Sequence, residues 1–318
     1  MKMLSRFLPL LLAALLPSLA LSQAYPQRPV RVLIGYPPGG SNDLVIRTLS
    51  TRLSEVLKQP FIIDNRSGAA GTIAADVAAK SAPDGYTLYS MSSAQVLAPH
   101  VRKVVNYDPV RDFRPIALVA SAGYFLTVHP SISPTTVAEL VALAKAKPGA
   151  LSYSSSGVGA GPHLTFALFL AMSGVDIVHV PNRLEVLDLL PGRVQASFAS
   201  IASVYPHLQA GALRAIAVSS AERSALMPNL PTMAESGYPG FDMGAWWGLV
   251  APAGTPDAIT KVLVDAIRPI LESKTFSDQF AAQGIVAGKL YTDAFGRKIV
   301  DDEKRFADIV RRAGVVPE

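Results

Sequence analysis

The sequence predicts an α/β protein of two domains, and three observations carry the prediction. Short apolar, β-branched runs alternate with helix-period segments along most of the chain, the pattern of βαβ units and largely parallel sheets. At 318 residues and 33.6 kDa the chain suffices for two domains of ordinary size. A strand, a Gly-rich loop and a helix occur at 30–57 and again at 151–172, so each domain contributes one such loop.

The first 24 residues are set aside. Lys2 and Arg6 make a basic start, residues 7–21 are an apolar run, and "SQA" ends at Ala24. That is the layout of a cleaved secretory signal peptide, and the run is short of the roughly 20 residues of a membrane span. The mature chain is therefore expected to be soluble and periplasmic. Half of the residues are hydrophobic and 17% are charged, which fits a packed core rather than disorder.

Strands are expected at 30–36, 61–64, 87–92, 115–120, 125–129, 151–154, 177–180, 194–198, 213–219 and 246–251. Helical patterns fill 44–57, 72–80, 137–145, 164–172 and 205–210, and the chain is mostly helical from Pro256 onward. The first loop reads "IGYPPGGSND" at 34–43. Its prolines fix φ and its glycines permit a tight turn or a close approach, which raises the question of what the loop sits against. The second reads "SSSGVGAGPH" at 154–163, and a third, "NRSGAAGT", follows the strand at 61–64. Each leads into a helix N-terminus, where unpaired N–H groups and the positive dipole end receive anionic oxygens. In open α/β sheets, ligands bind beyond the carboxyl ends of the strands, where these loops fall.

Chemistry for transforming a ligand is sparse. There is no cysteine, which excludes disulfides, thiolate metal sites and cysteine nucleophiles. "GVGAGP" at 157–162 has Pro162 where a dinucleotide fingerprint needs its last glycine, so no nicotinamide cofactor is expected. No G-x-S-x-G occurs, and the five histidines are isolated, without H-E-x-x-H, so neither a hydrolase nor a metal site is expected. His129 and His179 read as structural strand-end histidines, while His163 opens the second loop's helix. Asp43 falls in a first helical turn, where a dipole role explains it, and Asp64 is placed to pair with Arg66 or Arg47. The net charge is +5, and +3 once Lys2 and Arg6 leave with the leader. Its basic residues are scattered, which argues against nucleic acid as partner. The chain offers places to hold an anion and little to change it.

In order, "YPQRPVRVLIGYPPGGSND", "IIDNRSGAAGTIAADVAAKSAPDGYTL", "YDPVRDFRPIALVAS", "LSYSSSGVGAGPHL", "VDIVHVP", "LRAIAVSSAERS", "PNLPTMAESGYPG" and "WWGLVAPAGTP" resemble the extracytoplasmic receptors of tripartite tricarboxylate transporters, the Bug family. The resemblance spans about residues 25–316, and the PPGG loop, "APDGYTL" and "APAGTP" are its most specific elements. It implies a two-lobed periplasmic-binding-protein (Venus flytrap) fold, type II-like. Residues 25–122 and 223–318 form one lobe and 123–222 the other.

It further implies capture of a small organic carboxylate (a dicarboxylate, amino acid or aromatic acid), without a cofactor, for delivery to membrane transporter subunits. The alternatives are a sensor docking on a membrane kinase and a secreted hydrolase. A monomer is the default. Such receptors grip a carboxylate through backbone amides and small hydroxyls rather than arginine. Carried over by motif, the ligand residues are Tyr36, Pro38, Gly39, Gly40, Ser41 and Asn42 in the first loop, and Ser90, Ser92 and Ser93 at a strand end. The second loop adds Ser155, Ser156, Gly157, Gly159 and His163. Trp246 reads equally as a cleft wall and as ordinary strand burial.

Two departures fall in lobe two. After "HVP" the family pattern "YKGSAPALTDLLGGQVD" is replaced by "NRLEVLDLLPGRVQ", which starts with Asn182 and Arg183 and is shorter by three residues. Where the family reads "FDN", this chain has Phe198, Ala199 and Ser200. Arg183 reads either as a bidentate carboxylate partner or as a solvated helix-start residue.

Overall fold

The computed structural model describes residues 25–182 and 185–317; the leader and Arg183 lie outside the described residues. Strands β1 (Val30–Ile34), β2 (Phe61–Asn65) and β3 (Thr87–Ser92) alternate with helices α1 (Ser41–Leu57), α2 (Thr72–Ala79) and α3 (Ser93–Val101). β1 pairs in parallel with both β2 and β3, as right-handed βαβ units require. The long strand β4 (Phe113–Val128) then leaves this first sheet for a second one. There α4 (Val137–Ala146), β5 (Ser152–Ser155), α5 (Gly161–Ser173), β6 (Val178–Pro181), α6 (Val186–Leu189), β7 (Ala196–Ser200), α7 (Ile201–Gln209) and β8 (Arg214–Val218) follow. The chain returns through β9 (Gly244–Pro252), α8 (Asp257–Leu271), α9 (Lys274–Ala281), β10 (Val286–Ala287) and α10 (Thr292–Arg312).

The strand order is β2-β1-β3-β9-β4-β7-β5-β6, with β10 pairing the middle of β4 and β8 its C-terminal end. Two lobes are thus strung on one strand. Residues 113–123 of β4 pair antiparallel with β9, and Tyr124–Val128 pair with β7. Sequence patterning predicts two strands here, 115–120 and 125–129, because Ser121, Ala122 and Gly123 carry weak strand signals. The structure runs through them, for a steric reason. Gly123 faces Gly244, and a Cβ on Gly123 would lie 2.6 Å from Ser220 Oγ, while one on Gly244 would lie 2.6 Å from the Ala122 carbonyl oxygen. Small residues let the outgoing and returning segments touch.

Ser219 staples that crossing. It is fully buried, its N–H donates to the Tyr124 carbonyl at 2.8 Å, and its Oγ accepts from Tyr124 N–H at 2.8 Å and donates to the Met243 carbonyl. Helix α10 closes the molecule from behind, because Phe295, Ile299, Phe306 and Ile309 bury one stripe of it. It packs against α3 of the first lobe and α5 of the second. Phe295 lies on Gly248 of β9, where any side chain would collide with its ring. Burying one such phenylalanine contributes roughly 1.5–3 kcal/mol. No described helix is long and apolar enough to cross a membrane.

Candidate functional site

A cleft of about 560 Å³ lies between the lobes. The first lobe lines it with Tyr36, Ala70 and α3; the second adds Tyr124, Ser156 and the turn from Val158 to Pro162. Met243, Gly244, Phe306 and Val315 close its far wall. Of the residues singled out from sequence, Tyr36, Ser93, Ser156 and Gly159 line this space.

On the first-lobe side the architecture rests on Gln95, which sequence reading missed. Its Oε1 accepts from the N–H and Oγ of Ser92, each at 2.8 Å. Its Nε2 donates to Tyr36 Oη at 3.0 Å and to the Ala70 carbonyl at 2.5 Å. One buried amide therefore fixes three βα loops against each other, and the Tyr36 hydroxyl lies a further 3.3 Å from Ser92 Oγ. The signal was present, since Ser92-Ser93-Ala94-Gln95 has the spacing of a capping box. Gln95→Leu strands the Ala70 carbonyl and the Ser92 N–H in the interior. We expect a loss of about 1–3 kcal/mol in stability, read from the urea midpoint, with weaker ligand binding as the loops loosen.

The PPGG loop behaves otherwise than expected. Pro38, Gly39 and Gly40 are exposed, and neither they nor Ser41 and Asn42 line the cavity. The Gly39 N–H donates to Asp43 Oδ2 at 3.1 Å, so it is spent within the chain. Asp43 is buried and also accepts from Arg47 at 2.7 Å and Asn65 at 2.9 Å. Burial pushes its pKa up, but the bonds from Arg47, Asn65 and Gly39 outweigh that and hold the carboxyl below its usual range. The loop is shaped around Asp43. Asp64 pairs with Arg66 at 3.0 Å, while Arg47 belongs to Asp43.

Other assignments are also internal. Ser90 Oγ donates to Asn42 Oδ1 at 2.6 Å, a buried link between β3 and α1. Ser200 caps α7 through Ser203 rather than facing the cleft. Asn182 donates to Asp188 at 2.5 Å, and its N–H pairs with the Ser155 carbonyl. Trp246 is 2% exposed and gives its indole N–H to Asp302 at 2.8 Å. It borders an adjoining groove of about 410 Å³ that shares Met243, Gly244 and Phe306 with the cleft, and it does not itself line the cleft. Strand alternation explains the error, because β9 turns Trp246 toward α10.

In the second lobe, residues 155–163 are held by an aromatic stack. Phe166, Tyr153, His179 and His163 follow one another with ring centroids 3.7, 4.8 and 4.2 Å apart. His179 Nε2 lies 2.7 Å from Ser155 Oγ, whose residue is buried. His163 Nδ1 accepts the Gly159 N–H at 3.0 Å, and Gly157 and Gly159 take φ of +120° and +73°. His163 therefore positions the loop without lining the cavity. Helix α5 starts at this turn with no capping side chain, so first-turn N–H groups are left without intrahelical acceptors. Tyr124 stands across from it, so near that a Cβ on Gly161 would lie 2.3 Å from its hydroxyl. Burial raises the Tyr124 pKa, with a smaller push from Glu185, so the phenol stays protonated and able to donate. Among the described residues no cluster of metal-ligating side chains occurs.

Residues 45–315 match the model of the tripartite tricarboxylate transporter family receptor. The chain is 36% identical to protein BugT of Bordetella pertussis over 298 residues, 92% of this chain and 91% of that one. Among solved structures, the R. palustris Rpa4515 protein with adipate is 33% identical, superposes with a TM-score of 0.75, and covers 92% of this chain and all of the other. MatC from Rhodopseudomonas palustris with bound malate is 28% identical, with a TM-score of 0.70 over 90% of this chain and all of that one.

Proposed function

Since the chain belongs to the tripartite tricarboxylate transporter receptor family, we propose that it captures a small organic carboxylate between its lobes and passes it, unaltered, to membrane transporter subunits. It acts in the periplasm after removal of the leader. One observation carries the reading: the uncapped N-terminus of α5 and the N-terminal residues of α3 line one cleft from opposite lobes. The α5 end presents backbone donors and a positive dipole end to this space, and the capped α3 end adds its positive dipole end. The hydroxyls of Tyr36, Ser93, Tyr124 and Ser156 line the same space and supply the remaining donors. Relatives in complex with adipate and with malate support the chemical class.

The test begins with mass spectrometry of whatever co-purifies with the mature chain, then thermal denaturation against a panel of aliphatic and aromatic acids. A receptor's melting temperature rises with ligand concentration, by the equivalent of about 2.7 kcal/mol at a hundredfold excess over Kd. Flat melting curves across the panel, or turnover of a bound acid, overturn the proposal. Gly161→Val drives a side chain into the Tyr124 hydroxyl. It is expected to weaken binding at least tenfold in calorimetry while the fold, read by circular dichroism, is retained.

A further inference from the structure

We propose that Arg102 is a distal anchor in this cleft and sets the length of acid accepted, an inference that rests on the receptor reading above. The cavity runs along the whole of α3. Ser93, Ala94, Leu97, Ala98 and Val101 line it at offsets of 0, 1, 4, 5 and 8, one continuous stripe of the helix, and Arg102, the extended residue that ends it, lines it too. At a rise of 1.5 Å per residue, the helix is about 12 Å long from Ser93 to Val101, with Arg102 just beyond its end. Donors therefore gather at the N-terminal end and a guanidinium marks the other. Between them the stripe offers only Ala94, Leu97, Ala98 and Val101, and Val158, Leu164 and Phe306 line the same cavity.

Arg102 is the one charged side chain among the described residues that line the cavity. It is half-buried, and among the described residues its guanidinium has no hydrogen bond and no ion pair. Most other arginines of the chain are engaged, Arg47 with Asp43 and Arg305 with Asp302 among them. A cation beside an apolar stripe selects an anion with an apolar body, and its planar fork suits a second carboxylate. A four-carbon diacid held at the helix N-termini leaves the widest gap to it, whereas a diacid of six to eight carbons, itself shorter than the stripe, leaves a gap that the long arginine side chain can cover. A purely structural role is the rival explanation, since a cation at a helix C-terminus is favoured by the dipole alone.

Calorimetry on the mature chain separates the two. The probes are adipate, pimelate and suberate, the monoacids of equal length, and succinate, all at one ionic strength. The wild type should bind its best diacid at least tenfold tighter than the matching monoacid and than succinate. Arg102→Gln should weaken that diacid tenfold or more and leave the monoacid within twofold, which also shows that the variant is folded. Arg102→Lys should recover part of the loss. Equal affinity of the wild type for diacid and monoacid, or equal weakening of both in Arg102→Gln, overturns the anchor and leaves the receptor reading intact. Failure of every acid to bind the wild type overturns both.

Discussion

Asp302→Ala is expected to lower the unfolding free energy by about 3 kcal/mol, the low end of the range for breaking a buried ion pair. Asp302 is 3% exposed. Its Oδ2 accepts from the Trp246 indole at 2.8 Å and from Lys298 at 3.2 Å, and its Oδ1 accepts from Arg305 at 2.6 Å. Truncation leaves a buried indole N–H and two neighbouring cations without their common acceptor. Lys298 and Arg305 retain some solvent contact, which places the cost at the low end. Asp302→Asn keeps an acceptor for the indole and removes the charge, so it should cost less than the alanine variant. Urea midpoints at unchanged m-value report the difference. A loss under about 1 kcal/mol would mean that the cluster behaves like an exposed ion pair and contributes little to joining α10 to β9.

That cluster also shows why some of the site was illegible in the sequence. Strand and helix alternation exposed the α/β class. The ordered motifs exposed the family, which the match over residues 45–315 bears out. Gly-rich loops marked helix N-termini, because only such loops permit the turns that Gly157 and Gly159 make. Loop grammar says nothing of where each N-terminus points. Whether α1 or α3 meets the second lobe depends on where β4 crosses, and that crossing runs through Ser121–Gly123, the stretch that reads as a break. Likewise, "WWG" shows that one tryptophan faces each side of β9, but the side taken by α10 is a tertiary fact. Gln95 was legible as the end of a capping spacing. Its grip on Tyr36 and Ala70 was not, since those partners lie 59 and 25 residues away.

Acid should weaken the second lobe through His163. Burial, reinforced by the neighbouring His179, pulls its pKa from 6.5 to about 4, and burial also lowers that of His179. The unfolded chain takes up the His163 proton near pH 6.5, whereas the folded chain resists it down to about 4. This contribution to stability is therefore complete above pH 6.5, falls as the pH drops through that window, and reaches at most about 3 kcal/mol. Protonation also removes the acceptor for the Gly159 N–H, so the turn that lines the cleft is disturbed by the same step. Urea midpoints between pH 7.5 and 4.5 should show the loss in the wild type. His163→Asn keeps an acceptor but cannot titrate, and its profile should be flatter by about 2 kcal/mol at pH 5. Parallel profiles for the two proteins would assign the acid sensitivity to other groups. A ligand that binds only the closed native cleft should raise the midpoint of both proteins at pH 5.5, and by the same amount where their affinities match, because folded His163 is still neutral there.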